Sequence, residues 1–156
     1  YAVTPELTRL DALHRKTVEL KDAYWAGIID IQRRGATAWY LFAQGKKNEG
    51  IEMMRVAADA EDATEKSVVT PGPLAPAREM LGFMLLEAGR ADDALVAFDA
   101  AIAKEPNRFL ALYGAGRAAE KSNQPQRAKG YYGQIVAICK DAPAGRPELL
   151  HARERG

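Results

Sequence analysis

His14 and His151 are the only histidines of this chain and Cys139 its only cysteine. The two histidines lie at opposite ends, each alone on a charged helical stretch, with no H-E-x-x-H or Cys–His spacing that would converge on zinc, so both read as helix-surface residues. Cys139 stands among Ile135, Val136 and Ile138, with no histidine or basic cluster beside it to lower the thiol pKa, and reads as a buried, inert thiol. The carboxylate pairs Asp92–Asp93 and Glu61–Asp62 fall at helix ends, where the helix dipole alone accounts for the first of them. Residues 114–120, GAGRAAE, are glycine-rich but sit inside a helical pattern instead of between a strand and a helix, so no phosphate cradle is predicted. The expectation is a protein that is not an enzyme, with no catalytic residue, no metal site and no cofactor.

The elements that carry these residues read as helices throughout. Of 156 residues, 47% are hydrophobic and 28% charged, and the net charge is +1. That is enough apolar material for one domain with its own core, and too even a charge balance for a nucleic-acid partner. No apolar run reaches the roughly eighteen residues of a membrane span, so no membrane association is predicted. A lone cysteine leans the compartment towards the reducing cytoplasm and leaves the periplasm open.

Helical periodicity dominates, with no alternating stretch that would argue for strands. Thr4 and Pro5 can open a first helix ending near Leu20, its apolar face built from Leu7, Leu10, Leu13 and Val18. Asp22 caps a long, apolar second helix that runs to Gly45, a residue tolerant of the left-handed conformation. A third helix, about residues 48–61, carries Ile51, Met54, Val56 and Ala57. The segment 65–74, EKSVVTPGPL, breaks the pattern. Four helices of similar length follow, at about 75–88, 91–104, 109–122 and 125–140. A short one from Pro147 to Arg155 comes last, with Leu149 and Leu150 as its apolar pair.

Two of these helical pairs repeat each other at an offset of thirty-four residues: Gly82 meets Gly116, Gly89 meets Asn123, Ala94 meets Ala128 and Phe98 meets Tyr132. The small residues predict where the two helices of a pair come closest, with Gly82 nearly touching Ala94 and Gly116 nearly touching Ala128. The rings fill the space towards the next pair. A poorer copy spans 31–64, where Gly45, Gly50, Met54 and Ala57 precede their counterparts by forty-four residues, the surplus of ten being the segment 65–74.

Helical pairs of this period, with Leu81–Gly82, Ala94, Phe98, Ala101 and Pro106, resemble the tetratricopeptide repeat. The wider run also resembles stretches of bacterial tetratricopeptide proteins whose activity is uncharacterised. The bulky position of the first helix departs from the family pattern, being Arg34, Arg78 and Leu112 in the three copies and never Trp.

The resemblance implies an all-α protein, an α-solenoid of helix–turn–helix repeats over residues 1–156 as one domain. An orphan helix occupies 1–20, a degenerate repeat with a long first helix 21–64, an insertion 65–74, two repeats 75–108 and 109–142, and a capping helix 143–156. Because the orphan helix lacks a predecessor to pair with, Tyr1 is expected to open a fragment of a longer repeat protein.

In such stacks the first helices line a groove that binds protein segments. Its candidates here are Trp39, Phe42, Met80, Phe83, Leu86, Tyr113 and Arg117, rich in the aromatic and arginine side chains favoured at hot spots. The implied function is a protein-interaction module for a peptide or protein partner. Self-association into a homo-oligomer is one alternative, and a regulatory segment of a larger enzyme another. The insertion 65–74, stiffened by Pro71 and Pro73, reads as a spacer that Val68 and Val69 pack over the helices, with recognition as the alternative.

Overall fold

The turns set the architecture. The computed structural model describes residues 4–65, 72–143 and 145–156. Its described residues form eight helices and no strand: α1 Thr4–Glu19, α2 Ala23–Ala43, α3 Lys47–Ala63, α4 Ala77–Glu87, α5 Ala91–Lys104, α6 Phe109–Lys121, α7 Pro125–Ile138 and α8 Pro147–Arg155. After α1, α2, α4 and α6 one residue takes a positive φ: Lys21 (57°), Gly45 (84°), Gly89 (79°) and Asn123 (57°). The next N–H then donates to the carbonyl five residues back, as Lys46 to Leu41 (3.0 Å), Arg90 to Leu85 (2.9 Å) and Gln124 to Ala119 (2.8 Å). This Schellman arrangement satisfies the last helical carbonyls and reverses the chain within three residues. Glycine and asparagine reach the left-handed region at little cost, which is why Gly89 and Asn123 interchange at the repeat offset. Asp22 caps α2 by accepting the Trp25 N–H at 3.2 Å, as its position predicts.

The chain divides into two compact units, Tyr1–Leu81 and Gly82–Gly156, the division falling inside α4. In the first, α1 packs on α2 and α2 on α3. The α2–α3 crossing is closest at Gly50, where an added Cβ would stand 2.6 Å from the Ala38 carbonyl oxygen and 3.1 Å from the Phe42 nitrogen. Ile31, Ala38, Ile51, Met54, Ala57 and Ala58 make the buried interior.

The beginning of α4 is tied to the end of α3 by charge. Glu61 accepts the Ala77 N–H at 2.6 Å, and Arg78 bridges Asp59 (2.6 Å) and Asp62 (2.7 Å). The bulky first-helix position is thus an arginine held between carboxylates, a neutralised group that can be partly buried where a ring would otherwise sit.

Two apolar assignments change. In α1 the half-buried side chains are Leu7, Leu10, His14 and Thr17, at spacings of three and four, whereas Leu13 and Val18 face solvent. Val56 is 49% exposed because it falls off the stripe of Ile51, Met54 and Ala58.

In the second unit the repeat becomes geometry. A Cβ at Gly82 would come within 2.7 Å of the Phe98 ring, and one at Gly114 would also meet that ring at under 3.0 Å. Gly116 stands in the same relation to the Tyr132 ring. Gly82 and Gly116 therefore play the same part thirty-four residues apart, but the partner is the ring of the second helix, not Ala94 or Ala128. A glycine opens the slot and the ring fills it. Around them Ala111, Ala115, Ala118 and Ala119 of α6 are fully buried, so neighbouring helices pack closely against α6.

On α8, Leu149 and Ala152 are buried while Leu150 is 45% exposed, which splits the expected Leu149–Leu150 pair. Cys139 follows α7 as its cap and is half-buried, less enclosed than its apolar neighbours in sequence imply. The readings of Val68, Val69 and Pro71 lie outside the described residues.

Gly130, exposed on α7, has nothing within 4 Å of an added Cβ. Gly130→Ala is therefore expected to stabilise by about 0.5–1 kcal/mol, the helix-propensity difference alone. A urea midpoint that falls would show a neighbour this geometry lacks.

Candidate functional site

The seven groove candidates separate by what covers them. In the first unit Trp39 is half-buried, and its ring meets Phe42 edge to face at 5.7 Å. Phe42 is only 5% exposed, with the Lys47 ammonium 5.4 Å from its ring centroid and its Cβ against the slot of Gly50. It holds the α2–α3 crossing and offers no binding surface, a correction to its place among the candidates. Met80 is half-buried, its Cε 3.4 Å from where a Gly35 Cβ would stand.

In the second unit Phe83 is half-buried and edge-on to Phe98 at 4.9 Å, and Leu86 is half-buried a turn later. Tyr113 and Arg117, four residues apart on α6, form a unit of their own. The Arg117 Nη1 donates to the Tyr113 hydroxyl at 3.4 Å, and the guanidinium stands 5.9 Å over the Tyr113 ring. The hydrogen bond to Tyr113 and, against it, partial burial leave the Arg117 pKa above its ordinary value, so this charge is permanent.

Sequence reasoning missed what stands beside that pair. His151 of α8 is no free surface residue: its ring packs edge-on to Tyr113 at 5.8 Å and tilted against Tyr132 at 5.4 Å. His151 Nδ1 is 3.5 Å from the Tyr113 hydroxyl, and Nε2 is 3.7 Å from Glu120 Oε2. Glu120 Oε1 in turn accepts from Arg155 at 3.2 Å. The three helices α6, α7 and α8 thus meet at one cluster in which the His151 ring packs on the ring of Tyr132, itself fully buried. The only sequence signal was the spacing of His151 and Arg155, four residues apart on one face of α8.

Tyrosine, histidine and glutamate stand in line here, at separations longer than the about 2.6–3.2 Å of a direct proton transfer. Among the described residues no three histidine, cysteine or carboxylate groups converge as for a metal ion, and no helix is long and apolar enough to cross a membrane.

The cluster has a pH signature. Burial and, next, the negative charge of Glu120 push the Tyr132 phenol well above its usual range, so the folded chain keeps a proton that the unfolded chain releases above about pH 10. There the unfolded state binds fewer protons than the folded, and stability falls as pH rises. Urea unfolding at about pH 9 and about pH 11 is expected to show a larger loss in the parent than in Tyr132→Phe. Equal losses would mean that Tyr132 is not the group responsible.

No curated protein matches the chain. Residues 85–146, from the second half of α4 to the approach of α8, match the family model for the tetratricopeptide repeat. Repeats of this family serve protein–protein interaction. With paired helices, recurrent turns and the glycine–ring slot at a thirty-four-residue interval, this chain contains tetratricopeptide repeats, matched over residues 85–146.

Proposed function

We propose that the protein is a binding scaffold without catalysis of its own, which holds a peptide or protein segment on the outward faces of its first helices. Phe83, Leu86, Tyr113 and Arg117 serve in the second unit, Trp39 and Met80 in the first. We count 31–64 as a degenerate repeat beside 75–108 and 109–142, since its turn at Gly45 takes the same left-handed form as those at Gly89 and Asn123. The observation that carries the reading is the Tyr113–Arg117 pair. Large, half-buried side chains already ordered by a mutual hydrogen bond and stacking lose little freedom on binding, which is the economy a hot spot requires.

The test is quantitative capture of a partner by the parent protein and by Arg117→Ala and Trp39→Ala. A hot spot implies a loss of about 2 kcal/mol, roughly thirty-fold in affinity, for at least one variant. Undiminished capture by both would end this assignment of the surface.

A second reading, self-association, is favoured by the exposure of Leu13, Val18 and Leu20 at the front of the chain. Light scattering that gives a concentration-independent dimer, abolished by Val18→Glu, would select it.

A further inference from the structure

Where α6 turns into α7, the second unit has a cavity of about 560 Å³. Tyr132 and Ala128 of α7, both buried, lie at its bottom, and its rim carries Glu120 and Lys121 of α6, Lys129 of α7 and Arg155 of α8. The rim thus holds three cations and one carboxylate. Glu120 accepts from Arg155 at 3.2 Å and stands 3.7 Å from His151, so its charge is already met. Lys121 and Lys129 are exposed, and among the described residues neither makes an ion pair or a hydrogen bond.

The preceding repeat shows that the fold does not require these cations. At the thirty-four-residue offset, Glu120, Lys121, Gln126 and Lys129 stand where α4 and α5 have Leu86, Glu87, Asp92 and Leu95. The same scaffold positions pass from two negative charges to a surplus of one positive. Leu95 is 2% exposed, whereas Lys129 projects into solvent. Because the whole chain carries a net charge of only +1, the surplus here is a local feature and not a share of general basicity.

We propose that this hollow binds an acidic segment of a partner polypeptide, two of whose carboxylates pair with the Lys121 and Lys129 ammonium groups through charge-assisted hydrogen bonds. The methylenes of the incoming side chains lie along Pro125 and the lysine stems, and Asn123 and Gln126 on the rim hydrogen-bond the segment's main chain. Size agrees: the volume lies within the about 300–1,000 Å³ of sites that enclose a whole ligand, room for several side chains. Exposed ion pairs are individually weak, so a run of carboxylates holds where a single one does not. Nucleic acid fits less well, because the fully buried Tyr132 ring offers no face on which a base could stack. The site uses none of Phe83, Tyr113 and Arg117, so it stands or falls independently of the first-helix faces.

The experiment follows the backbone amide resonances of the full, isotope-labelled chain. The probe is acetyl-Gly-Glu-Glu-Glu-Gly-amide, compared with a version carrying glutamine at the three central positions and with inorganic phosphate. The glutamate peptide is expected to move the amides of Asn123, Gln126 and Lys129 and to leave those of α2 and α3 unmoved. Its affinity should fall about five-fold or more when Lys121→Gln and Lys129→Gln are combined, and fall similarly when ionic strength is raised from about 0.05 to about 0.5 M. Lys140→Gln, at an exposed lysine beyond the other end of α7, should change it by less than about two-fold. Both rim lysines being exposed, the double variant leaves the fold intact, and the salt titration repeats the test without any substitution. The proposal is overturned if these amides do not respond at millimolar peptide, if the glutamine peptide binds as tightly as the glutamate one, or if the double variant weakens binding no more than Lys140→Gln does. Inorganic phosphate binding as tightly as the glutamate peptide would also overturn it, by making the hollow a site for small anions.

Discussion

Phe98→Ala lowers the free energy of unfolding by about 3–5 kcal/mol, the upper part of the range for a single substitution. Phe98 is fully buried; its ring meets Phe83 at 4.9 Å and occupies the slots that Gly82 and Gly114 leave open. Removing it strips contacts from α4, α5 and α6 at once. The cavity is hard to close, because the surfaces that would have to collapse into it are helix backbones at two glycines, with no side chain there to swing in. The loss is measured by urea unfolding against Val96→Ala on the same helix, where a 69% exposed side chain predicts a change within about 0.5 kcal/mol. Phe98→Leu should recover a part of the loss, since a smaller apolar group still fills some of the slot. Should Phe98→Ala and Val96→Ala unfold at the same urea concentration, the ring is not the wedge that the coordinates describe.

Much of this was legible in the sequence, for definite physical reasons. Helix ends are written locally: Asp22 announces a cap and Gly45 a positive φ, and the structure has both. The pairing of Gly82 with Phe98 and of Gly116 with Tyr132 was half legible. Recurrence at thirty-four residues marked each as a matched set, but small residues opposite each other suggested touching backbones, and only side-chain geometry shows a ring lying over the glycine.

The apolar stripe of α1 was misjudged because leucine and valine occur around most of that helix, and which side is covered depends on α2. Phe42 was misplaced for a related reason. It shares α2 with Trp39 three residues earlier, and the close approach at Gly50 decides which of the two rings is enclosed. The His151 cluster was illegible because its members come from α6, α7 and α8, with thirty-eight residues between Tyr113 and His151. No local period reports a meeting at that distance along the chain.

Gly50→Ala and Gly116→Ala separate two kinds of tight contact that a sequence cannot tell apart. Each substitution gains up to about 1 kcal/mol of helix propensity, and each must find room for a methyl group. At Gly50 the obstruction is the Ala38 carbonyl oxygen at 2.6 Å, with the Phe42 nitrogen at 3.1 Å. These are main-chain atoms, which yield only if α2 and α3 separate as rigid bodies and loosen the packing of Ile51 and Met54. The expected net loss is about 1–3 kcal/mol, and no substitution of a neighbouring side chain should restore it. At Gly116 the obstruction is the Tyr132 ring, fully buried and unable to swing aside. Its loss should be similar in the parent and smaller in a Tyr132→Leu background, where the ring is absent. A double-mutant cycle on Gly116 and Tyr132 should therefore give a coupling of about 1 kcal/mol or more, while a cycle on Gly50 and Phe42 gives much less. Equal coupling in the two cycles would mean that α2 and α3 approach through side chains, and that the first helical pair is built on the same glycine–ring slot as the second unit instead of on direct contact between helix backbones.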